Sequence, residues 1–548
     1  MTPTREMLRR DAAYDRWGEA HAAGELGAAA EGMLREELGT GEPLPPVPLE
    51  SVRIAAGAPI PEAVVAAAGG EDAVSTEDED RIRHSGGKGY PDLIRMRSGS
   101  VESAPDAVLA PPDAEHVAAV LAACSAAGVA VVPFGGGTSV VGGVEPDRGW
   151  FERLVALDLT ALRNATVDPV SMTAHLGPGL RGPEAEAALN SEGFTLGHFP
   201  QSYRYATIGG YAATRSAGQA SSGYGRFDAV ATAIELTAPV GPIRTLQTPH
   251  TAAGPSLREL VLGSEGTLGV ITDVTVRVRP VPERKLYEGW FAPSFPDGIE
   301  IARSLAQGGA LPDVVRLSDR DETRVSLAMS GLEGAKRRAL ETYLRLRGRR
   351  YAASGCMLIV GWEGEREDAE RRREISRRVL RSGGAVPLGG SPGSSWEHGR
   401  YEGPHLRDLL IDRGILVETL ETSHVYGRLD ELYAAVRSAL ADGMSAGGGR
   451  GIVMCHVSHV YRDGASLYFT FLTAARAGAE IEQWRGLKAA ACEAIVGAGG
   501  TITHHHAVGR DHAPYMRSEI GELGIDTLLA VKERLDPAGI MNPGKLLG

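Results

Sequence analysis

Three glycine-rich stretches hold the residues best placed to bind an anion through the backbone. Pro133-Phe-Gly-Gly-Gly-Thr-Ser-Val-Val-Gly-Gly143 directly follows the apolar run Val129 to Val132. Gly135, Gly136 and Gly137, between Pro133 and Phe134 on one side and Thr138 and Ser139 on the other, let backbone N–H groups converge on an anion without interference from Cβ atoms. That is a pyrophosphate cradle. It is neither a G-x-G-x-x-G fingerprint nor a P-loop, whose lysine is missing. Ala206-Thr-Ile-Gly-Gly210 with Thr214-Arg-Ser216, and Gly263-Ser-Glu-Gly-Thr-Leu-Gly-Val-Ile271, are two further small-residue loops flanked by apolar residues. Three such loops fit a long, extended cofactor touched at several places.

The polar candidates lie further along. His504, His505 and His506 are consecutive and internal, so they are metal ligands or loop residues rather than a tag. On an extended strand neighbouring side chains alternate, so three in a row cannot converge on one metal without a bend; either His505 alone, or His504 with His506, faces a pocket. Cys455, His456 and His459 are also of metal-binding type. Tyr468 sits in the apolar run Leu467 to Leu472, where a tyrosine is ordinarily a core or rim residue. Arg407 falls in a helical stretch, Pro404 to Gly414, where an arginine ordinarily makes a surface ion pair. Arg316 lies inside the short apolar strand Val314 to Leu317, a costly position unless the charge is paired.

The elements that must position these residues divide the chain. Residues 1–103 read as an arm: a helix to about Gly39, a proline-punctuated loop around Pro43 to Pro48, then mixed loops to Gly99. Residues 104–280 read as a mixed α/β domain. Asp113 caps a helix carrying Val117, Val120, Leu121 and Cys124 at helical spacing, and the buried strand Val129 to Val132 follows. Leu154 to Leu159, Met172 to Leu176 and Val270 to Val278 are further strands. Residues 281–500 alternate strands such as Met357 to Trp362 with charged helices such as Gly334 to Arg347 and Glu365 to Ser382, an α+β layer. Residues 501–548 contain the histidine triplet, a helix from about Asp511 to Leu535, and a tail that returns to the 104–280 domain.

Composition sets the outer limits. The 548 residues are 43% hydrophobic and 23% charged, enough for large buried cores. A net charge of −13 repels a phosphate backbone, so nucleic acid is not an expected partner. Only six of the 57 basic residues are lysines, a bias that fits a GC-rich bacterial genome. Four widely spaced cysteines suggest reduced thiols in a cytosolic protein. The first residues lack the apolar core of a secretory signal, and no stretch reads as a membrane span.

The three glycine loops, in this order, resemble the FAD-binding domain of the vanillyl-alcohol oxidase and p-cresol methylhydroxylase superfamily. Further motifs narrow the resemblance: Gly197-His-Phe-Pro-Gln-Ser202, Val315-Arg-Leu-Ser-Asp319, Leu406-Arg-Asp408, Leu420-Glu-Thr-Ser423, Ser458-His-Val-Tyr461, Leu467-Tyr-Phe469 and His504-His-His-Ala-Val-Gly509. Together they are similar to the alkyldihydroxyacetonephosphate synthase family, from about Trp17 to Leu547. The resemblance implies an α+β fold: a two-part FAD-binding domain, an α+β cap that holds substrate, and the N-terminal helical arm. It implies non-covalent FAD and a redox-neutral exchange. A C1 proton leaves acyl-dihydroxyacetone phosphate, flavin N5 adds to the substrate, the fatty acid departs and a fatty alcohol replaces it. An FAD-linked oxidoreductase acting on a 2-hydroxy acid or alcohol is the alternative, resting on fold and on the generic tail Asn542-Pro-Gly-Lys545.

Carried over residue by residue, the resemblance places FAD against Pro133 to Ser139 and against Pro200, Gln201, Ser202 and Ala206. It adds Thr207, Gly209 and Gly210; Ala213, Thr214, Arg215 and Ser216; and Glu265, Gly266, Thr267, Leu268, Gly269, Val270 and Ile271. Tyr468 moves the C1 proton, with nearby cations favouring its phenolate. His505 is an acid-base or hydrogen-bonding residue beside the flavin, with His504 and His506 in the same group. Arg407 grips the substrate phosphate bidentately, His198 joins the substrate pocket and Arg316 is a second required arginine. No metal is expected, because metal-using relatives carry a second histidine where this chain has a tyrosine. Two positions depart from the family pattern: Ala507 stands where glycine is expected, and Phe199 where an acid stands in animal members. Lipid-like substrates, peripheral contact with a membrane through an apolar tunnel mouth and a homodimer complete the expectations.

Overall fold

The computed structural model describes residues 13–18, 26–39, 41–309, 311–329, 334–348 and 355–547. The Asp113 carboxylate accepts the His116 N–H and starts the helix Ala114–Ala127; Gly128, at φ 63°, turns the chain directly into the strand Val129–Phe134. That strand runs parallel to Arg153–Asp158, which runs parallel to Ala107–Leu109, and Val74–Ser75 completes a four-stranded sheet. Val129 to Val132 are fully buried, as a parallel strand covered on both faces must be. The next sheet has five antiparallel strands, in the order Gly241–Arg244, Ala231–Ala238, Val270–Arg277, Thr173–Leu176 and Ala165–Asp168. The tail lies against the four-stranded sheet, since the Val131 N–H donates to the Ile540 carbonyl at 2.8 Å and the Asn542 N–H returns a bond to Val131 at 2.8 Å.

The second layer is a seven-stranded antiparallel sheet. Its order is Val386–Gly389, Arg284–Ala292, Cys356–Gly364, Val314–Ser318, Gly451–Val457, Gly464–Ala474 and Ile415–Val425. The period-two alternation of its last three strands separates core from cavity. Cys455, Val457, Leu467, Phe469 and Phe471 belong to the hydrophobic core and do not line the cavity, whereas His456, Tyr468, Thr470 and Thr419 line it together with Met454, Leu472 and Val417, which also pack in the core. The arm helix Ala28–Leu38 packs against Arg320–Met329 and against the strands Gly451–Val457 and Gly464–Ala474, over that cavity.

The reading of loops up to Gly99 needs correction. Glu62–Ala68, Asp78–Arg83 and Tyr90–Arg97 are helices, too short or too charged for periodicity to reveal. Burial is possible there because distant groups satisfy the charges: the Arg97 guanidinium donates to the carbonyls of Asp15 and Leu44 and to Asp412. The helix read to Gly39 spans Ala28–Leu38, and residues 1–12 and 19–25 lie outside the described residues. The last helix begins at Met516, behind a short 3-10 turn, and Gly521, at φ 74°, interrupts it.

Candidate active site

One cavity of about 490 Å3 runs between the two layers and has three chemically different parts. The first is the cradle. Gly135, Gly137, Thr138 and Ser139 line it with Pro133 and Phe134, opposite Gln201, Ala206, Gly209, Gly210, Thr214, Glu265 and Gly269. A Cβ on Gly135 would stand 2.4 Å from Thr207 Oγ1, and one on Gly137, whose φ is +62°, 2.6 Å from the Phe134 ring. The cradle therefore exists only as glycine. The C-terminal tail fixes it from behind: Asn542 Nδ2 donates to the carbonyls of Gly143, at 3.1 Å, and Glu265, at 2.7 Å. The Glu265 carboxylate accepts the N–H groups of Val508 and Gly509 at 2.8 and 2.7 Å, and burial still pushes its pKa up to about 7.

The second part is polar. Tyr468 is buried, and the imidazole of His456 stacks on its ring. Burial pushes the phenol up to about 12, although a hydrogen bond with Thr419 and the charge of Arg407 pull it down. The expected phenolate is corrected accordingly: the group stays protonated near neutral pH. Arg407 comes from the helix Gly403–Ile411; it donates to the Lys88 carbonyl at 2.9 Å, to Thr419 Oγ1 at 3.2 Å and to Glu418 at 3.4 Å. Arg316 is paired, as its place in an apolar strand demands: it donates to Glu322 at 2.8 Å and meets the His456 imidazole at 3.1 Å. Burial works to raise Glu322, but His456 and Arg316 hold it down at about 2.

The third part is an apolar channel. Leu26, just before the arm helix, and Ala30, Met33 and Leu34 on it face Val325 and Met329, with Leu406, Leu410, Val417 and Leu472 along the sides.

The histidine triplet does not alternate as an extended strand would, because the segment bends. His505 and His506 both line the cavity, while His504 turns away with its Nε2 on the Tyr461 hydroxyl at 2.7 Å. Other sequence candidates also lie off the cavity wall. The His198 ring is buried beneath it, with Nε2 at 3.0 Å from Ser216 Oγ and its edge against Tyr211, which removes it from the substrate pocket. The Arg215 side chain turns outward to the carbonyls of Leu262 and Glu259. Thr267 bonds the Ser264 carbonyl and Leu268 packs in the core. Gly136 touches the Tyr205 loop, where a Cβ would meet the Tyr205 carbonyl oxygen at 2.1 Å. Gly136 permits a close approach of backbone to backbone and does not itself face the cofactor space.

The departures have physical readings. Ala507 sits at φ 74°, the left-handed region where glycine is at ease, which explains the expected residue. Phe199 lies under the Arg400 guanidinium at 4.9 Å, a cation–π contact at a buried position. Sequence reasoning assigned no role to Glu322, Glu418 or Glu421. Acidic residues inside the apolar strand Ile415–Val425 were the available signal for Glu418 and Glu421.

Comparison with known proteins adds the family. The FAD binding domain family matches residues 105–247, and the family of FAD linked oxidases, C-terminal domain, matches residues 281–546. A Trypanosoma brucei brucei alkyldihydroxyacetonephosphate synthase is 34% identical over 487 residues, covering 87% of this chain and 79% of its own. The Dictyostelium discoideum enzyme of the same name is 32% identical, covering 85% and 77%. This chain belongs to the alkyldihydroxyacetonephosphate synthase family. A solved alkyldihydroxyacetonephosphate synthase structure superposes with a TM-score of 0.84 at 26% identity, covering 98% of this chain and 99% of that one. A 4-ethylphenol oxidase, at 14% identity and a TM-score of 0.66, shares the fold. These synthases are eukaryotic, so the bacterial source suggested by the arginine bias gains no support from them. Membership fixes the α+β architecture and FAD as cofactor, and the glycine cradle with its opposing loops fits FAD. No helix among the described residues is long and apolar enough to cross a membrane.

Proposed function

We propose that this chain is a flavin-dependent alkylglycerone-phosphate synthase, which exchanges the acyl group of acyl-dihydroxyacetone phosphate for a fatty alcohol without net redox change. The single observation that carries the reading is the joining of three environments in one cavity: an FAD cradle, a polar centre holding Arg407, Tyr468 and His505, and an apolar channel roofed by the arm. An oxidase of small hydroxy acids needs no such channel.

Each group has a role that its environment supports. Arg407 is held by Lys88, Thr419 and Glu418 with its guanidinium in the cavity wall, ready to grip the substrate phosphate. Tyr468 moves the C1 proton. A phenol kept protonated by burial must give up its own proton as it takes another, and the neighbouring rings of His505 and His506, with centroids 6.5 and 5.2 Å away, are the bases beside it. Arg316 and Glu322 orient His456, and His456 fixes the plane of the phenol ring. FAD, which the glycine cradle and its opposing loops would hold without a covalent link, would supply an electrophilic centre to the reaction.

The channel accepts the lipid tail. Met329, 40% exposed, marks where it reaches the surface, and peripheral contact of this mouth with a membrane delivers both lipids. The decisive experiment incubates the holoprotein with acyl-dihydroxyacetone phosphate and a long-chain alcohol and seeks the ether product by mass spectrometry. No ether product, together with two-electron bleaching of the flavin by a 2-hydroxy acid under anaerobic conditions, would replace this reading with the oxidoreductase.

A further inference from the structure

The polar centre is linked to a second cavity. Glu421 is fully buried on the strand Ile415–Val425, with Oε1 3.3 Å from His504 Nδ1 and Oε2 against His505 Nδ1. The two Nδ1 atoms are 3.4 Å apart. His504 Nε2 is 2.7 Å from the Tyr461 hydroxyl. Tyr461 in turn lines a separate cavity of about 560 Å3, with Arg226 bonded to its phenol and the exposed Arg277 at the rim. His505 therefore faces the reaction cavity, Tyr461 faces the outer one, and Glu421 and His504 stand close together between them. Burial works to raise Glu421, but His505 and His504 hold it well below the usual carboxylate range, so a fixed negative charge stands beside both rings.

We propose that His505, His504 and Tyr461, with Glu421 as the anion beside them, form a proton relay between the reaction cavity and solvent. The inference rests on the synthase reading, in which a C1 proton must leave the substrate and a proton must later return to the product. Going outward, the C1–H bond breaks and its proton arrives at His505 Nε2, by way of Tyr468. The proton on His505 Nδ1 passes over the Glu421 carboxylate to His504 Nδ1. The proton on His504 Nε2 passes to the Tyr461 oxygen, and the Tyr461 hydroxyl proton goes to water in the outer cavity. Returning a solvent proton runs the same bonds in reverse and restores both imidazole tautomers, so one catalytic cycle leaves the relay as it began. Glu421 lowers the energy of the imidazolium formed in passing.

The same groups invite a competing occupant, since Glu421, His459, His504 and His505 offer ligand atoms that all lie within 4.8 Å of one another. A bound cation would occupy the lone pairs that the relay needs, so the two are mutually exclusive.

The test uses the holoprotein and acyl-dihydroxyacetone phosphate carrying two deuterons at C1, with a long-chain alcohol in ordinary water. The unaltered protein is expected to release ether product that has lost one deuteron. Tyr461→Phe keeps the ring and removes the hydroxyl; it is expected to keep forming ether product while raising the fraction that retains both deuterons several-fold. Glu421→Gln, which keeps the volume, is expected to do the same. Retained flavin and an unchanged melting temperature establish that both variants are folded. Deuterium loss at the unaltered ratio in both variants overturns the relay and leaves the synthase reading standing. So does complete retention by the unaltered protein, or one tightly bound zinc or manganese per chain that His504→Ala releases. Absence of any ether product from the unaltered protein removes the synthase reading and the relay with it.

Discussion

The imidazole of His456 lies flat against the phenol ring of Tyr468, with centroids 4.6 Å apart and planes 14° from parallel, while its Nδ1 is 2.8 Å from Glu322. The stack fixes where the phenol oxygen points. Tyr468→Phe keeps the ring and therefore the stack, so flavin content and substrate affinity should stay close to those of the unaltered protein. Turnover should fall by about 100- to 10,000-fold, the usual cost of a lost proton-transfer group, and exchange of the C1 hydrogen should stop. Exchange at the original rate would reduce Tyr468 to a wall residue.

Arg407 makes a different prediction. Its three protein partners hold a planar fork in place, and a lysine keeps the charge without the fork. Arg407→Lys should act mainly on substrate affinity, raising KM by about tenfold or more on the scale of one charge-assisted hydrogen bond. An unchanged KM with a lower kcat would move the phosphate contact to another residue.

The cradle can be tested by two glycines with opposite geometry. In Gly137→Val a branched side chain meets the Phe134 ring from a left-handed backbone, directly at the cofactor wall. In Gly136→Val the side chain meets the Tyr205 carbonyl oxygen instead. Both should yield mostly apoprotein. Both should also lower the melting temperature of the FAD-free protein, Gly137→Val through its left-handed backbone and the Phe134 ring and Gly136→Val through its clash with the Tyr205 backbone; full flavin occupancy in either variant would remove that glycine from the cradle.

The cradle and the apolar strand feeding it were legible because they are local: a glycine run after four buried aliphatics has few other uses. The histidine triplet was legible as a site but not in its geometry, since a bend that brings Nδ1 atoms of adjacent residues together leaves no trace in residue order. The buried charge of Arg97 was illegible, because its partners are supplied from distant elements: Asp412 lies 315 residues from Arg97. An apolar tunnel mouth was expected, but the channel's walls were unreadable for the same reason, as they come from the arm helix, Arg320–Met329, Gly403–Ile411 and strands that meet only in the fold.

Glu265 links pH to the tail. Burial lifts its pKa from the ordinary glutamate value to about 7 in the folded chain. Below the ordinary value both folded and unfolded chains hold the proton, and the group's contribution to stability is complete. Between that value and about 7 only the folded chain holds it, so this contribution falls as pH rises and is lost through about 7. Glu265→Gln mimics the protonated form, so its melting temperature should decline less with pH across that window. Parallel melting curves for the two proteins would show that Glu265 does not titrate there.

Ala507 gives a prediction of the opposite sign from most substitutions. A non-glycine residue at φ 74° carries a left-handed backbone cost of about 1–2 kcal/mol. Glycine removes it, at the expense of about 0.4–1 kcal/mol for the extra freedom of the unfolded chain. The balance favours Ala507→Gly by up to about 1.6 kcal/mol, a rise in Tm on the order of 1 °C in a chain of this size. The Ala507 carbonyl accepts from His512 Nδ1 at 2.9 Å, and its Cβ is the only atom lost, so that bond survives the change. A lower Tm for Ala507→Gly would mean that the methyl group packs against the cavity wall strongly enough to outweigh the strain.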